Sequence, residues 1–88
     1  MVFIQHFMLD VNGGYTADGT NILIYHGYGG IAQQYFCRAS SEIGSYGIMT
    51  NVTNGSSCLH LSVADNRNVI ENAYWSGTNQ LWTFEAIK

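Results

Sequence analysis

The chain contains no proline, and its fixed cations are only Arg38, Arg67 and Lys88. Nucleic-acid binding rests on Lys and Arg neutralising phosphates. A chain with a net charge of −3 and no basic stripe does not supply them. No apolar run approaches the roughly 18 residues needed to span a bilayer. Met1-Val2-Phe3-Ile4 lacks the basic start and long apolar stretch of a signal peptide. The two cysteines, Cys37 and Cys58, leave two readings open: a single disulfide, or two buried free thiols. Cys58-x-His60 is the one close Cys/His pair, and four zinc ligands converge nowhere. Charged residues make up 10% of the chain, well below the usual quarter or so.

What remains is apolar and neutral-polar. The apolar fraction of 47% is that of a globular protein rather than a disordered one. Polarity comes from Asn, Gln, Ser, Thr, Tyr and Gly, a surface of neutral donors and acceptors suited to neutral polar ligands. Eighty-eight residues make one small domain with a marginal core. Chains of this size often gain stability from disulfides, metals or oligomerisation.

One phrase occurs twice. Gly30-Ile31-Ala32-Gln33-Gln34-Tyr35-Phe36-Cys37 is echoed by Gly77-Thr78-Asn79-Gln80-Leu81-Trp82-Thr83-Phe84, at an offset of 47 residues. Asn21-Ile22 aligns with Asn68-Val69 at the same offset, and a three-residue gap brings Met8 to Val11 over Cys58 to Leu61. A fixed period marks supersecondary units that cannot bury their apolar faces alone. The expected repeats run over about 1–42 and about 43–88, within one domain of 1–88.

Glycine and Asn/Asp pairs punctuate short apolar segments: Asn12-Gly13-Gly14, Asp18-Gly19, Gly29-Gly30, Asn54-Gly55 and Asp65-Asn66. Between them, Val, Ile, Tyr, Phe and Trp predict strands near 2–5, 8–11, 21–25, 34–38, 47–51, 58–62, 68–72 and 81–87. The class is all-β, with four strands per repeat and a short helical turn allowed over 39–46. Leu9, Ile22, Ile48, Leu59, Val69, Tyr35, Trp82 and Phe84 are the candidate core. Asn51-Val52-Thr53 and Asn54-Gly55-Ser56 are glycosylation sequons, relevant only in a eukaryotic secretory pathway.

The ordered series Leu9-Asp10-Val11, Thr16 to Asn21, Ile22 to Tyr25, Gly29-Gly30 and Gln33-Gln34-Tyr35 resembles the ricin B-type lectin, or QxW, repeat. The second copy supplies Ile48 to Asn51, Gly55, Cys58-Leu59, Asn68-Val69, Gly77 and Asn79 to Phe84. The resemblance implies a β-trefoil, in which three repeats surround a pseudo-threefold axis and each can carry a shallow sugar site. It also implies an extracellular setting. Here there are two repeats, the first looks short at its N-terminal end, and the family's intra-repeat disulfide is missing. Cys58 stands at one of its positions, but Tyr74 occupies the other; the first copy has Met8 and Gly27 there. Two repeats do not close a threefold barrel. Completion by homo-oligomerisation, in which three chains would make two trefoils, and membership of a larger chain are the two solutions.

The resemblance implies a carbohydrate site in the first repeat. Asp10 matches the carboxylate that accepts hydrogen bonds from two adjacent sugar hydroxyls. Tyr25 matches the aromatic that covers a pyranose face. His26 and Tyr28 extend that platform, and Gln33 braces the carboxylate. Ala32 replaces the family's asparagine. In the second repeat His60 and Asn72 replace the carboxylate and the ring while Asn79 and Gln80 remain, which implies a degenerate site. Tyr74 and Trp75 offer a contact surface outside the family pattern.

Nothing in the spacing nominates a nucleophile with its base, a paired-carboxylate cleft, a phosphate loop or a cofactor. The expected function is therefore a non-catalytic glycan-binding module for galactose-type or xylan-like sugars. The alternatives are an assembly module, such as a toxin accessory subunit, and the targeting domain of a glycosidase.

Overall fold

The computed structural model describes residues 7–64 and 68–85. Among them are six five-residue strands and no α-helix. They are β1 (Phe7–Val11), β2 (Ile22–His26), β3 (Tyr35–Ala39), β4 (Tyr46–Thr50), β5 (Ser57–Leu61) and β6 (Val69–Ala73). β1 and β2 form an antiparallel hairpin, while β3-β4-β5-β6 form a four-stranded antiparallel sheet. An isolated bridge from Asn21 to Ile70 ties the two sheets together.

The elements repeat with the periods seen in the sequence. β2 and β6 are 47 residues apart end to end, as are the 3-10 turns Ile31–Gln33 and Thr78–Gln80. β1 and β5 are 50 apart, the same interval with the three-residue gap included. The extra residues sit in the turn after β1, where Gly13 and Gly14 adopt φ of 64° and 66°. Non-glycine side chains clash in that region, so Asn-Gly-Gly is what this reversal requires.

Several expectations are corrected. Over 81–85, the described part of the strand expected at 81–87, there is a single bridge between Trp82 and Tyr46. The strand expected at 2–5 lies outside the described residues. The 39–46 segment is a hairpin connection rather than a helical turn, held by Ser40 N–H to Ser45 O at 3.1 Å and Glu42 N–H to Ser40 Oγ at 3.1 Å. Among the described residues there are three 3-10 turns, at Asn12–Gly14, Ile31–Gln33 and Thr78–Gln80. Runs this short carry little hydrophobic periodicity, so the pattern does not announce them. Both cysteines are free; Cys58 is buried, as expected, but Cys37 is exposed. Burial pushes the Cys58 thiol up to about 12.

Val11, Ile22, Ala32 and Leu59 form the core cluster, with Tyr35, Ile48, Val52, Val69 and Trp82 packed against it. Burying Val11, Ile22 and Leu59 contributes roughly 1.5–3 kcal/mol each. The Trp82 indole N–H donates to Leu59 O at 3.2 Å, which fixes the ring across the sheet. Leu9 and Phe84 are not core: both are exposed, and Phe84 rests its ring against Tyr46. Directly opposed residues of an antiparallel pair share a face. Val11–Ile22 and Leu9–Ile24 therefore lie on one face of the hairpin, with Asp10–Leu23 and Met8–Tyr25 on the other. The first face reaches the core at Val11 and Ile22 and runs out into solvent at Leu9 and Ile24.

The first repeat grips the second through the loop before β2. Gly19 N–H donates to Glu71 O and Glu71 N–H donates to Thr20 O, both at 2.8 Å. Asp18 Oδ1 accepts the Ala73 N–H at 2.9 Å, and Asn68 Nδ2 donates to Asn21 Oδ1 at 2.6 Å. The loop thus extends the sheet along the outer edge of β6.

Candidate functional site

Asp10 is carried on β1 on the face away from the core, and it is 95% buried because the Ile31–Gln33 turn packs behind it (5% exposed). The Gln33 amide organises the corner. Its Oε1 accepts the N–H of Tyr28 at 2.9 Å and of Gly29 at 3.2 Å. Its Nε2 donates to His26 O and to Asp10 Oδ2, both at 2.9 Å. Every donor and acceptor of this buried amide is used, so the glutamine has one orientation. Asp10 Oδ2 is thereby held, which leaves Oδ1 as the acceptor available to a ligand.

A cavity of about 310 Å³ opens beside Asp10, lined also by Asn12, Gly13, Gly14, Leu23, Tyr25 and Tyr28. Tyr25 and Tyr28 meet edge to face, with ring centroids 6.3 Å apart at 89°. Their rings form two walls at right angles, an apolar corner with wet hydroxyls. Tyr28 lies so close over Gly30 that a Cβ there would sit 2.1 Å from its ring. A side chain at 30 would push that ring aside, so the glycine lets the ring lie where it does.

All five residues expected in the first site come together. Asp10, Tyr25 and Tyr28 line the cavity, and Gln33 stands behind the carboxylate. His26 is a flanking residue: its ring rests on Tyr25 with centroids 4.3 Å apart, and it does not line the cavity. Asn12, Gly13, Gly14 and Leu23 were not anticipated. The turn signal at Asn12-Gly13-Gly14, two residues from Asp10, was the available hint. Its positive φ values fold the chain back beside the carboxylate.

The second repeat reproduces the bracing and not the cavity chemistry. Gln80 Oε1 accepts the Trp75 N–H at 2.9 Å, and Nε2 donates to Ala73 O at 2.8 Å. The other Nε2 proton faces His60 Nδ1 at 3.1 Å. A neutral imidazole has one acceptor nitrogen, and the amides of Gln80 and Asn79 face both ring nitrogens, so that acceptor is taken within the repeat. Asn79 reaches His60 Nε2 at 3.1 Å and Leu61 O at 3.2 Å. Asn72 turns its amide to Ala73 O at 3.3 Å and joins no cluster with His60. The Trp75 ring packs 5.1 Å from the His60 ring, on the side where the first repeat keeps Tyr28. No group of three His, Cys, Asp or Glu side chains gathers as a metal site among the described residues.

No protein-family model matches the chain, and no curated protein matches it. A solved structure does: the crystal structure of a designed 3-fold symmetric protein, ThreeFoil, is similar with a TM-score of 0.76 and 30% sequence identity. The match covers 88% of this chain and 55% of that one. The chain therefore spans little more than half the length of that structure. Its fold is all-β, built of trefoil-type repeats.

Proposed function

We propose that this chain is a non-catalytic carbohydrate-binding module whose site is the Asp10 corner of the first repeat. The trefoil scaffold is compatible with binding and interaction modules. The observation that favours sugar is the pairing of a braced carboxylate with two perpendicular tyrosine rings around one small cavity. Two adjacent hydroxyls of a pyranose present two donors to Asp10, and charge-assisted bonds are the strong ones. The C–H face of the sugar then lies on Tyr25, with Tyr28 closing the side. Galactose-type sugars and xylan-like glycans both offer that combination.

A site with one carboxylate and two rings makes few contacts, and association first costs several kcal/mol of lost freedom. A millimolar dissociation constant, about 4 kcal/mol, is the matching scale. Useful avidity then comes from several sites acting together. The test is a glycan array followed by titration calorimetry on the strongest sugar, with Asp10→Ala alongside. Signal confined to one sugar class and lost in the variant supports the proposal. A blank array from folded protein, or binding unchanged in Asp10→Ala, sinks it.

A further inference from the structure

The two repeats treat the same position in opposite ways. Leu59 and Glu71 face each other across β5 and β6, and they are 3% and 0% exposed. Their counterparts Leu9 and Ile24 face each other across β1 and β2, and they are 45% and 70% exposed. What differs is the cover. The loop at 18–21 of the first repeat lies along β6, and nothing among the described residues lies along the outer edge of β2.

The backbone repeats the contrast. Asn12 N–H donates to Asn21 O at 2.9 Å, so Asn12 and Asn21 form a hydrogen-bonded pair. Pairs alternate along an antiparallel ladder. Leu9–Ile24 and Phe7–His26 are consequently non-hydrogen-bonded pairs, and the N–H and C=O of Ile24 and the N–H of His26 point away from β1. At the matching positions of β6, Gly19 and Thr20 satisfy Glu71, and Asp18 satisfies the Ala73 N–H. No described residue meets the outward N–H groups of Ile24 and His26.

We propose that the outer edge of β2, with the Phe7, Leu9 and Ile24 face beside it, docks a repeat from a second copy of this chain. The occupant is argued from the internal contact: the loop at 18–21 shows what this fold lays along that strand. The sequence carries the same Asp-x-x-Asn spacing again at Asp65 and Asn68. Each copy thus has one such edge and carries that sequence pattern twice. The contact is head-to-tail, the class of interface that joins unlike surfaces of identical chains. An edge whose outward N–H groups no described residue meets is itself a template for pairing. This inference does not depend on sugar binding.

The experiment is light scattering coupled to size exclusion, with amide hydrogen exchange on the same full chain. Wild type should exceed the monomer mass, and Ile24→Asp should return a monomer with an unchanged circular dichroism spectrum. Ile43→Asp, at a fully exposed site away from this edge, should stay assembled. Exchange at the Ile24 and His26 amides should slow in the assembly and accelerate when wild type is diluted below it, a readout that needs no variant. A monomeric wild type, an assembly that survives Ile24→Asp, or an assembly in which those two amides exchange freely overturns the proposal.

Discussion

Glu71→Gln is expected to stabilise this protein at neutral pH. Glu71 is fully buried on β6 with no cation beside it among the described residues. Thr50 Oγ1 donates to its Oε1 at 2.8 Å, and Oε2 has no partner. Burial raises its pKa above the ordinary carboxylate value; the Thr50 bond works against that shift, and the Asp18 charge adds to it. The folded chain therefore holds this proton more tightly than the unfolded chain does. Stability is full below the ordinary glutamate pKa and falls as pH rises through the folded value. At low pH the neutral acid buries no charge, although Oε2 still lacks a partner. Its O–H can donate to Thr50 Oγ1, which then donates to Ser57 O at 3.3 Å, while Thr53 Oγ1 accepts the Ser57 N–H at 2.9 Å.

Leaving a buried acceptor unpaired costs about 1–3 kcal/mol, more for a charged one. Glutamine keeps the shape, removes the charge and retains one orphaned group. The net gain at pH 7 is therefore put at about 1–2 kcal/mol, or roughly 4–16 °C in Tm for a domain of this size. Thermal melts by circular dichroism from pH 4 to pH 8, at one fixed protein concentration, provide the assay. The wild-type Tm should decline across the acidic range while the variant stays flat, and the two should meet near pH 4. A wild type that gains stability with rising pH, in parallel with the variant, refutes the reasoning.

The remaining predictions concern the site and its frame. Gly30→Ala should displace the Tyr28 ring and weaken sugar binding at least tenfold with little loss of stability, since Gly30 has ordinary extended φ; calorimetry beside a melt checks both. Gln80→Ala should cost about 2–4 kcal/mol, because it strands the Trp75 N–H, the Ala73 carbonyl and His60 together in a buried corner; urea unfolding measures it. A thiol reagent at neutral pH should label Cys37 in the folded chain and Cys58 only on unfolding, which a mass shift of one adduct against two will report.

The repeat was legible in the sequence because its main-chain bonds use the same residue type at the same interval. Gln33 and Gln80 each bind the N–H five residues earlier and the C=O seven residues earlier, so the Gln at offset 47 reports a shared frame. The inward positions of Ile22 and Leu59 were legible from the apolar pattern, whereas Val11, equally buried, was not singled out. Leu9 was misread as core because alternation identifies a face, not its cover, and the cover of Leu9 depends on a neighbouring repeat. Glu71 escaped notice for the converse reason. A charged residue in a strand reads as outward-facing, and only the loop at 18–21 closing over β6 makes it interior.

The frame and the site separate physically at one bond. Three of Gln33's contacts and two of Gln80's go to main chain and close the turn before it. The remaining one goes to the residue on the first strand of the hairpin, Asp10 in one copy and His60 in the other. Either side chain accepts that proton, so the turn closes equally well with both. The consequence for a ligand is unequal. A carboxylate that gives one oxygen to the glutamine retains the other, whereas a neutral imidazole that gives its acceptor nitrogen has none left. His60→Asp should therefore leave the fold of the second repeat intact and give it an acceptor. Binding would still fall short of the first site, because Asn72 supplies no ring where Tyr25 does and Trp75 packs across the corner.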